Sequence, residues 1–434
     1  MLPDRFVSSH SRLPTPPDGP PSHPTAPRTR AEILAHILWC GLALAVAVKA
    51  IVSPDRHTVW PVFATASDHW RAGKPLYVDY LDVDMYRYSP SFAVVVTPLA
   101  LLPMRFGGCL WGLGSLALSY VGLRALHRDV LADRTSLPDR GVFLLVSAVG
   151  VGPMVWNLQS NTLLLGLLTL GTAATARQRW WSAAWFLAAA VSIKVWPLAW
   201  AAVVVVGQLR SLGWRLAVAL AGLLAIPALT APPEQVAQSY KDWWYILGVG
   251  EGYRWPGYRD LLTILQQIDL TVKPHVYRVV QVAAGFGVLL AALSATRQTG
   301  DVRRGLAVGL GAWLCWQLIL GPGSERNTYG LIVPLIGWEV IRARQDGRSW
   351  WWPGTALAVI LLFTSGDVER SVCQWLPAAK ATLPLAVLGY AAWLVHEGLQ
   401  STRPTASIIL GPWAVRRRAG REMPRVGDAV GKSS

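Results

Sequence analysis

The chain has 434 residues, of which 53% are hydrophobic and only 15% are charged, and its mean hydropathy is +0.35. Soluble proteins carry about 25% charged residues, so this composition excludes an ordinary soluble domain and indicates a membrane protein. The formal charge of +15 would suggest a nucleic-acid partner in a soluble protein, but here the bases lie mainly in short segments between apolar stretches, which is typical of cytoplasmic loops.

The N-terminal segment, residues 1–32, is rich in Pro, Ser, Thr and Arg and has no apolar centre. A secretory signal peptide needs such a centre, so we interpret this segment as a disordered tail. The C-terminal segment, residues 399–434, is similar in composition and basic, with three consecutive arginines at 416–418. A tail of this kind fits the anionic inner leaflet of a membrane, and both tails are predicted to be cytoplasmic.

Between the tails, residues 33–398 contain many apolar stretches that approach the length of a membrane-spanning helix. Lipid offers the backbone no hydrogen-bond partners, so such stretches form helices. The sequence therefore predicts an all-α polytopic membrane protein of about 12 transmembrane helices, with two large outer loops at residues 54–106 and 231–276. The predicted helices are centred near residues 43, 117, 149, 168, 187, 202, 221, 287, 313, 335, 358 and 386.

The basic residues predict the orientation of the chain. With the N-terminus inside, most of the 40 lysines and arginines lie in inner connections and tails. Residues 89–102 are apolar but short, with prolines at or near both edges. Counting them as a further span would put the arginine-rich connections outside, so we interpret them as a helix in the outer interface. The expected location is the plasma membrane, with both termini cytoplasmic.

The cysteines give no sign of a metal site. Cys40, Cys109, Cys315 and Cys373 are far apart in sequence. Their spacing fits neither a zinc site nor a disulfide framework, so we interpret them as small apolar residues. No metal and no cofactor is predicted.

The two outer loops are rich in Trp and Tyr, mixed with acids. An aromatic belt at the membrane interface explains part of this pattern, because tryptophans also occur on the inner side. Sugar binding, in which ring faces stack on the sugar, explains it as well, and both interpretations stay open here. A carboxylate of the first loop could act as general base towards an acceptor hydroxyl. The acids of this loop are Asp55, Asp68, Asp79, Asp82 and Asp84.

Three polar elements interrupt the apolar stretches on the outer side. Lys194 lies between two apolar stretches, and a lysine there either faces a cavity or reaches the interface along its apolar stem. Residues 157–161 carry amides and a hydroxyl just before a long span, where Ser160 or Asn161 is expected to cap the helix. Residues 321–329 form a turn with an acid, a base and an amide, which a plain turn does not need.

Five motifs, in order over residues 35–345, resemble glycosyltransferase family 87, the polyprenol-phosphate-mannose-dependent mannosyltransferases of the GT-C superfamily. The similar segments are residues 71–77 (G-x-x-L-Y), 86–103 (Y-x-P…P-L-A-L-L-P), 157–161 (G-Q-x-N), 194–197 (K-x-x-P) and 321–334 (E-x-x-T-Y…P). In the third motif, Leu158 stands where the family usually has glycine.

The resemblance implies a GT-C-like bundle with its active site at the outer face. It implies transfer of a sugar, mannose in that family, from a polyprenyl-phosphate donor to a hydroxyl of a lipid or glycan acceptor, with inversion. Lys194 would then be the first candidate to bind the donor phosphate, followed by Arg259 or Arg326, while Gln159 and Asn161 would hydrogen-bond phosphate or sugar. The other candidates for donor binding are Arg87, Tyr88, Glu325 and Tyr329.

The sequence departs from the family at the general base. The family has an Asp just after the first span, and Val59 occupies that register here. Asp55 lies slightly before this place and Asp68 after it, and Asp55 is the first candidate of the two. If no outer Asp acts, the chain would be a non-catalytic scaffold. A transporter or flippase of a lipid-linked sugar is the main alternative, although no inverted repeat is visible and the polar residues gather at one face.

Overall fold

The structure, a computed structural model, describes residues 29–56, 58–80, 83–132, 139–249, 257–321 and 323–401. The predicted tails lie largely outside these residues. The α-helices in chain order are α1 (Arg30–Val52), α2 (Trp60–Arg71), α3 (Pro90–Ala100), α4 (Met104–Leu126), α5 (Arg140–Trp156), α6 (Ser160–Ala176), α7 (Trp180–Ile193), α8 (Pro197–Gly207), α9 (Trp214–Ala225), α10 (Pro233–Val249), α11 (Leu261–Gln267), α12 (Pro274–Thr299), α13 (Val302–Leu320), α14 (Val333–Gln345), α15 (Trp351–Phe363), α16 (Gly366–Trp375) and α17 (Thr382–Ser401).

Five helical segments are long and apolar enough to cross a membrane. They are Arg30–Val52, Met104–Leu131, Leu209–Leu229, Pro274–Thr299 and Pro377–Glu397. Shorter apolar helices lie between them, and large apolar side chains such as Leu44 and Val279 are exposed on the outside of the bundle, where lipid would cover them. The all-α polytopic fold is therefore confirmed. Each predicted span centre lies within an α-helix, while the number of membrane crossings stays a prediction.

Polar residues set the start of α1. The Thr29 side chain accepts a hydrogen bond from Glu32 N at 3.2 Å, and Glu32 Oε2 accepts one from Thr29 N at 3.3 Å. This reciprocal pair is a capping box, which satisfies backbone donors that a helix N-terminus leaves without partners. The first helix therefore begins at Arg30, inside the segment predicted as a tail.

Small residues allow α4 and α6 to pack closely. A Cβ on Gly166 would lie 2.7 Å from the Leu118 carbonyl carbon, and one on Gly122 would lie 2.6 Å from the Gly166 oxygen. Membrane helices use small residues in this way because lipid provides no hydrophobic force between helices. The close packing fixes the start of α6, where residues 157–161 lie, against α4.

Two contacts identify the ends of the bundle. Arg140 forms an ion pair with Glu32 at 2.6 Å, which joins the starts of α5 and α1. We call this the arginine end. At the opposite end Val59 N donates to Asn157 O at 2.9 Å, which joins the connections that follow α1 and α5. We call this the site end.

The segment predicted as an interfacial helix, residues 89–102, forms the 11-residue helix α3. At its start, Ser89 Oγ donates to the carbonyl of Ser192, at the site end of α7. Near its other end, Thr97 Oγ1 accepts from Ser67 Oγ at 2.8 Å, and Ser67 belongs to α2, which begins directly after Val59. Both ends of α3 thus contact segments of the site end. These contacts favour a helix that does not cross the bundle, and its interfacial position stays a prediction.

The regions predicted as outer loops, residues 54–106 and 231–276, which we call the first and second outer segments after that prediction, contain helices that were not predicted from the sequence, and so does the connection after α15. Helix α2 lies in the first predicted outer loop, α10 and α11 lie in the second, and α16 follows α15. These helices are either short or carry several polar and charged residues, so they lack the long apolar stretches by which spans were found. The two regions predicted as loops are therefore partly helical.

Candidate active site

Lys194 lies at the break between α7 and α8, at the site end. Its Nζ donates a hydrogen bond to Asn161 Oδ1 at 3.0 Å and lies 5.2 Å from the ring centre of Tyr88. The side chain is therefore turned towards other protein groups, as a functional lysine would be, and does not simply reach for the interface. Its hydrogen-bond partner is a neutral amide, and within the described ranges no carboxylate lies at ion-pair distance from Nζ.

Residues 157–161 make a tight turn in which Leu158 has a left-handed backbone, with φ of +50°. Glycine adopts this conformation at little cost, whereas the Cβ of leucine makes it strained. A glycine, which stands at this position of the motif that the segment resembles, would adopt the turn without this strain. Packing offsets part of the strain, since the Leu158 side chain is 1% exposed and its carbonyl accepts a hydrogen bond from Trp111 Nε1 at 2.9 Å.

The amides of this turn join three separate motifs. Gln159 Nε2 donates to Glu325 Oε2 at 3.0 Å. Asn161 Nδ2 donates to Gln159 Oε1 and to Thr328 Oγ1, each at 3.2 Å. With Lys194 these contacts form a continuous hydrogen-bonded chain from Lys194 through Asn161 and Gln159 to Glu325, which we call the amide network.

The expected capping role of Ser160 or Asn161 is wrong. The N-cap of α6 is Gln159, and its side chain makes no capping hydrogen bond. Ser160 Oγ instead donates to Tyr88 OH at 3.4 Å, and Asn161 belongs to the amide network. The polar side chains of the turn are thus used for tertiary contacts. The first turn of α6 also brings the partial positive charge of a helix N-terminus to the site.

The turn at residues 321–329 is held by the second outer segment. Tyr258 and Glu325 form an isolated antiparallel bridge, and Arg259 N donates to Ser324 O at 2.7 Å. Tyr329 OH donates to the carbonyl of Arg259 and is fully buried. Tyr329 therefore positions the backbone behind the site, and its role in donor binding stays a prediction.

A buried carboxylate that the sequence analysis missed, Glu369 of α16, lies beside this turn. Its Oε1 lies 2.5 Å from Arg259 Nε, and its Oε2 lies 3.0 Å from Arg326 NH1. Both arginines predicted to bind phosphate thus share the carboxylate of Glu369. Arg326 Nε is buried and has no hydrogen-bond partner among the described residues. A charged run between two apolar stretches, residues 367–370, was the signal that could have revealed Glu369.

Tyrosines of the first outer segment pack against one another beside Lys194. Tyr77 OH donates to the carbonyl of Tyr88 at 2.8 Å, and Arg87 NH1 donates to Tyr258 OH at 3.2 Å, which joins the two outer segments. Burial raises the pKa of Tyr80 to about 12 and raises that of Tyr77 further. These phenols stay neutral at physiological pH and act as hydrogen-bond donors.

The two predicted candidates for the base lie outside the amide network. Asp55 is exposed in the turn after α1, which the Val59–Asn157 hydrogen bond holds next to residues 157–161. Asp68 lies on α2, where its side chain is 63% exposed and pairs with Arg71 at 3.2 Å. The carboxylate within the network is Glu325. Of the other acids, Asp79 and Asp84 are exposed, and Asp82 lies outside the described residues.

No group of three or more His, Cys, Asp or Glu side chains suited to a metal ion occurs in the described part of the chain. The polar side chains at the site are one lysine, two amides, nearby carboxylates, and the group formed by Glu369, Arg259 and Arg326, which we call the Glu369 cluster.

Comparison with known proteins was made for families, curated proteins and solved structures. The profile of glycosyltransferase family 87 matches residues 86–322, which is more than half of the chain. The comparison with curated proteins gave no match. Among solved structures, the crystal structure of ArnT from Cupriavidus metallidurans bound to undecaprenyl phosphate is similar at 16% sequence identity and a TM-score of 0.37, over 84% of this chain and 77% of that chain.

Proposed function

Because the chain belongs to glycosyltransferase family 87, we propose that it transfers a sugar from a polyprenyl-phosphate donor to a hydroxyl of a lipid or glycan acceptor. The sugar is mannose, the reaction inverts the anomeric carbon, and it takes place at the outer face of the plasma membrane. The observation that supports this proposal most strongly is the amide network, in which three motifs far apart in sequence share hydrogen bonds at one end of a membrane bundle.

The donor phosphate binds at Lys194. The lysine has no carboxylate at ion-pair distance in the described ranges, so its positive charge remains available to an anion. The α6 N-terminus adds to this potential, and the Glu369 cluster contributes Arg326, whose buried Nε has no hydrogen-bond partner in the part of the chain that the structure describes. The apolar surfaces of the surrounding helices would accommodate the polyprenyl tail. The phosphate attached to this tail would then lie at the site end.

The reaction is a single displacement. A carboxylate takes the proton of the acceptor hydroxyl, the hydroxyl oxygen forms a bond to the anomeric carbon, and the bond from that carbon to the phosphate oxygen breaks. Polyprenyl phosphate leaves with the bonding electrons, and Lys194 stabilises its added charge. Asp55 is the first candidate for the base and Asp68 the second. Glu325 is a third candidate, since it lies within the amide network.

The substrate test is an assay of purified protein with polyprenyl-phosphate donors that carry mannose, glucose or arabinose, and with a lipid extract as acceptor. We expect transfer from the mannose donor, and mass spectrometry identifies the product. Transfer of another sugar would show that the donor sugar is not mannose, while the proposed enzyme class would stand. Absence of transfer from every donor, with the protein folded, would overturn the proposed function.

A further inference from the structure

A cavity of about 300 Å³ lies at the arginine end of the bundle, far from the candidate active site. Asn161 and Ala176 lie at opposite ends of α6, and with a rise of about 1.5 Å per residue the two places are separated by about 22 Å. The cavity is bounded by residues of three different connections. They are Arg128, Asp129, Ala176, Arg177, Arg179 and Arg303.

Asp129 organises one side of this cavity. Its two carboxylate oxygens accept hydrogen bonds from Arg128 Nε at 2.7 Å and Arg128 NH2 at 2.9 Å, and Arg177 NH2 lies 2.6 Å from Oδ1. The Asp129 side chain is only 2% exposed, whereas both arginines are largely exposed. The carboxylate therefore fixes two guanidinium groups at the rim while their outer faces stay open to solvent.

The other two arginines have no such partner. In the described part of the chain, no carboxylate lies at ion-pair distance from Arg179 or Arg303, and the nearby Asp301 side chain accepts from the backbone N–H of Arg303 instead. Four guanidinium groups and one carboxylate give the cavity lining a charge of +3. The general preference for basic residues in inner connections explains how many arginines occur there. It does not explain why four of them line one cavity.

We propose that this cavity binds a phosphate group, carried either by the headgroup of an anionic lipid or by a soluble phosphate compound. A guanidinium group offers parallel N–H donors that match phosphate oxygens, so arginines suit this ligand better than lysines would. The volume lies at the lower limit of ligand pockets, about 300–1,000 Å³, and fits a headgroup-sized anion. Basic pockets between membrane helices on the inner side bind lipid headgroups elsewhere by the same chemistry.

The test compares the wild type with an Arg179→Gln/Arg303→Gln double variant in detergent. The probes are a short-chain phosphatidylglycerol, a short-chain phosphatidylcholine and inorganic pyrophosphate, and binding is measured by titration and by native mass spectrometry. The wild type is expected to bind phosphatidylglycerol or pyrophosphate, and loss of two charge-assisted contacts should weaken that binding by tenfold or more. Binding of phosphatidylglycerol identifies a lipid source, and binding of pyrophosphate alone identifies a soluble one.

The matched control is an Arg210→Gln/Arg297→Gln variant, which removes the same charge from exposed inner residues outside the cavity. It should bind the probes like the wild type. The proposal would be overturned if the cavity variant bound the probes as tightly as the wild type, or if the control variant lost as much affinity as the cavity variant. It would also be overturned if the wild type preferred phosphatidylcholine or bound none of the probes. Sugar transfer does not enter this test, so its outcome is independent of the proposed function.

Discussion

Lys194 is held by the Asn161 amide and the Tyr88 ring, neither of which neutralises its charge. Lys194→Met keeps much of the side-chain length and removes the charge. A charge-assisted contact to phosphate contributes about 1.5–3 kcal/mol, so donor affinity should fall about tenfold to a hundredfold. The measurement is donor binding by titration. Lys241→Met, at an exposed position of α10, is the control and should bind the donor normally. An unchanged donor affinity of Lys194→Met would show that Lys194 does not bind the donor.

The general base can be assigned by removing one carboxylate at a time. Asp55→Asn, Asp68→Asn and Glu325→Gln preserve shape, and loss of a general base lowers the rate by about 10²–10⁴. We expect this loss in kcat for Asp55→Asn, with KM for the donor largely unchanged. Glu325→Gln should raise the donor KM if Glu325 only orients Gln159, and should lower kcat if it is the base. Asp367→Asn, at an exposed carboxylate of α16, is the control, and near wild-type rates for all three variants would place the base elsewhere.

Leu158 combines a strained backbone with a buried side chain, and the two effects can be separated. Leu158→Ala loses packing worth about 2–5 kcal/mol and keeps the strain, whereas Leu158→Gly loses the packing but relieves about 1–2 kcal/mol of strain. Both variants should have a lower Tm than the wild type, in the order wild type, glycine, alanine. A glycine variant less stable than the alanine variant would mean that strain at this turn is unimportant.

At the scale of elements, Glu369 joins α16 to the second outer segment and to the 321–329 turn. Glu369→Gln leaves Arg259 and Arg326 without their shared buried carboxylate, and breaking a buried ion pair in this way costs about 3–5 kcal/mol. The expected result is a lower Tm in detergent. Asp367→Asn is the matched control, because its carboxylate is exposed and forms an exposed ion pair with Arg370. Equal Tm values for the two variants would contradict a structural role of the Glu369 cluster.

The sequence predicted an α-helix at each apolar stretch, because long apolar stretches favour helices buried in lipid, while the number of membrane crossings stays a prediction. It missed α2, α10, α11 and α16, since these helices are short or partly polar and have no such signature. The family motifs pointed to Gln159, Lys194 and Glu325 as separate candidates for donor binding, and the structure joins all three in the amide network. The sequence missed the pairing of Arg259 with Glu369, because contacts between residues so distant in sequence depend on the tertiary fold. The roles of these residues stay predictions.

At the scale of the whole molecule, the arginine end is predicted to face the cytoplasm. In a variant without its native cysteines, Ser136→Cys should resist a membrane-impermeant maleimide added to intact cells, since most bases lie in the inner connections. Gln267→Cys, exposed at the end of α11 in the predicted outer segment, should react readily and serves as the control. Ready labelling at Ser136→Cys in intact cells would reverse the predicted orientation.

The central claim is that the molecule transfers a sugar covalently, as opposed to moving a lipid-linked sugar across the membrane. The most direct measurement uses reconstituted protein and a polyprenyl-phosphate mannose donor that carries one radiolabel in the sugar and another in the prenyl chain. The expected result is that the two labels separate, with the sugar label in the acceptor and the prenyl label in polyprenyl phosphate, and that Lys194→Met slows this separation. Labels that stay together while the donor changes membrane leaflet would contradict the claim and identify a flippase.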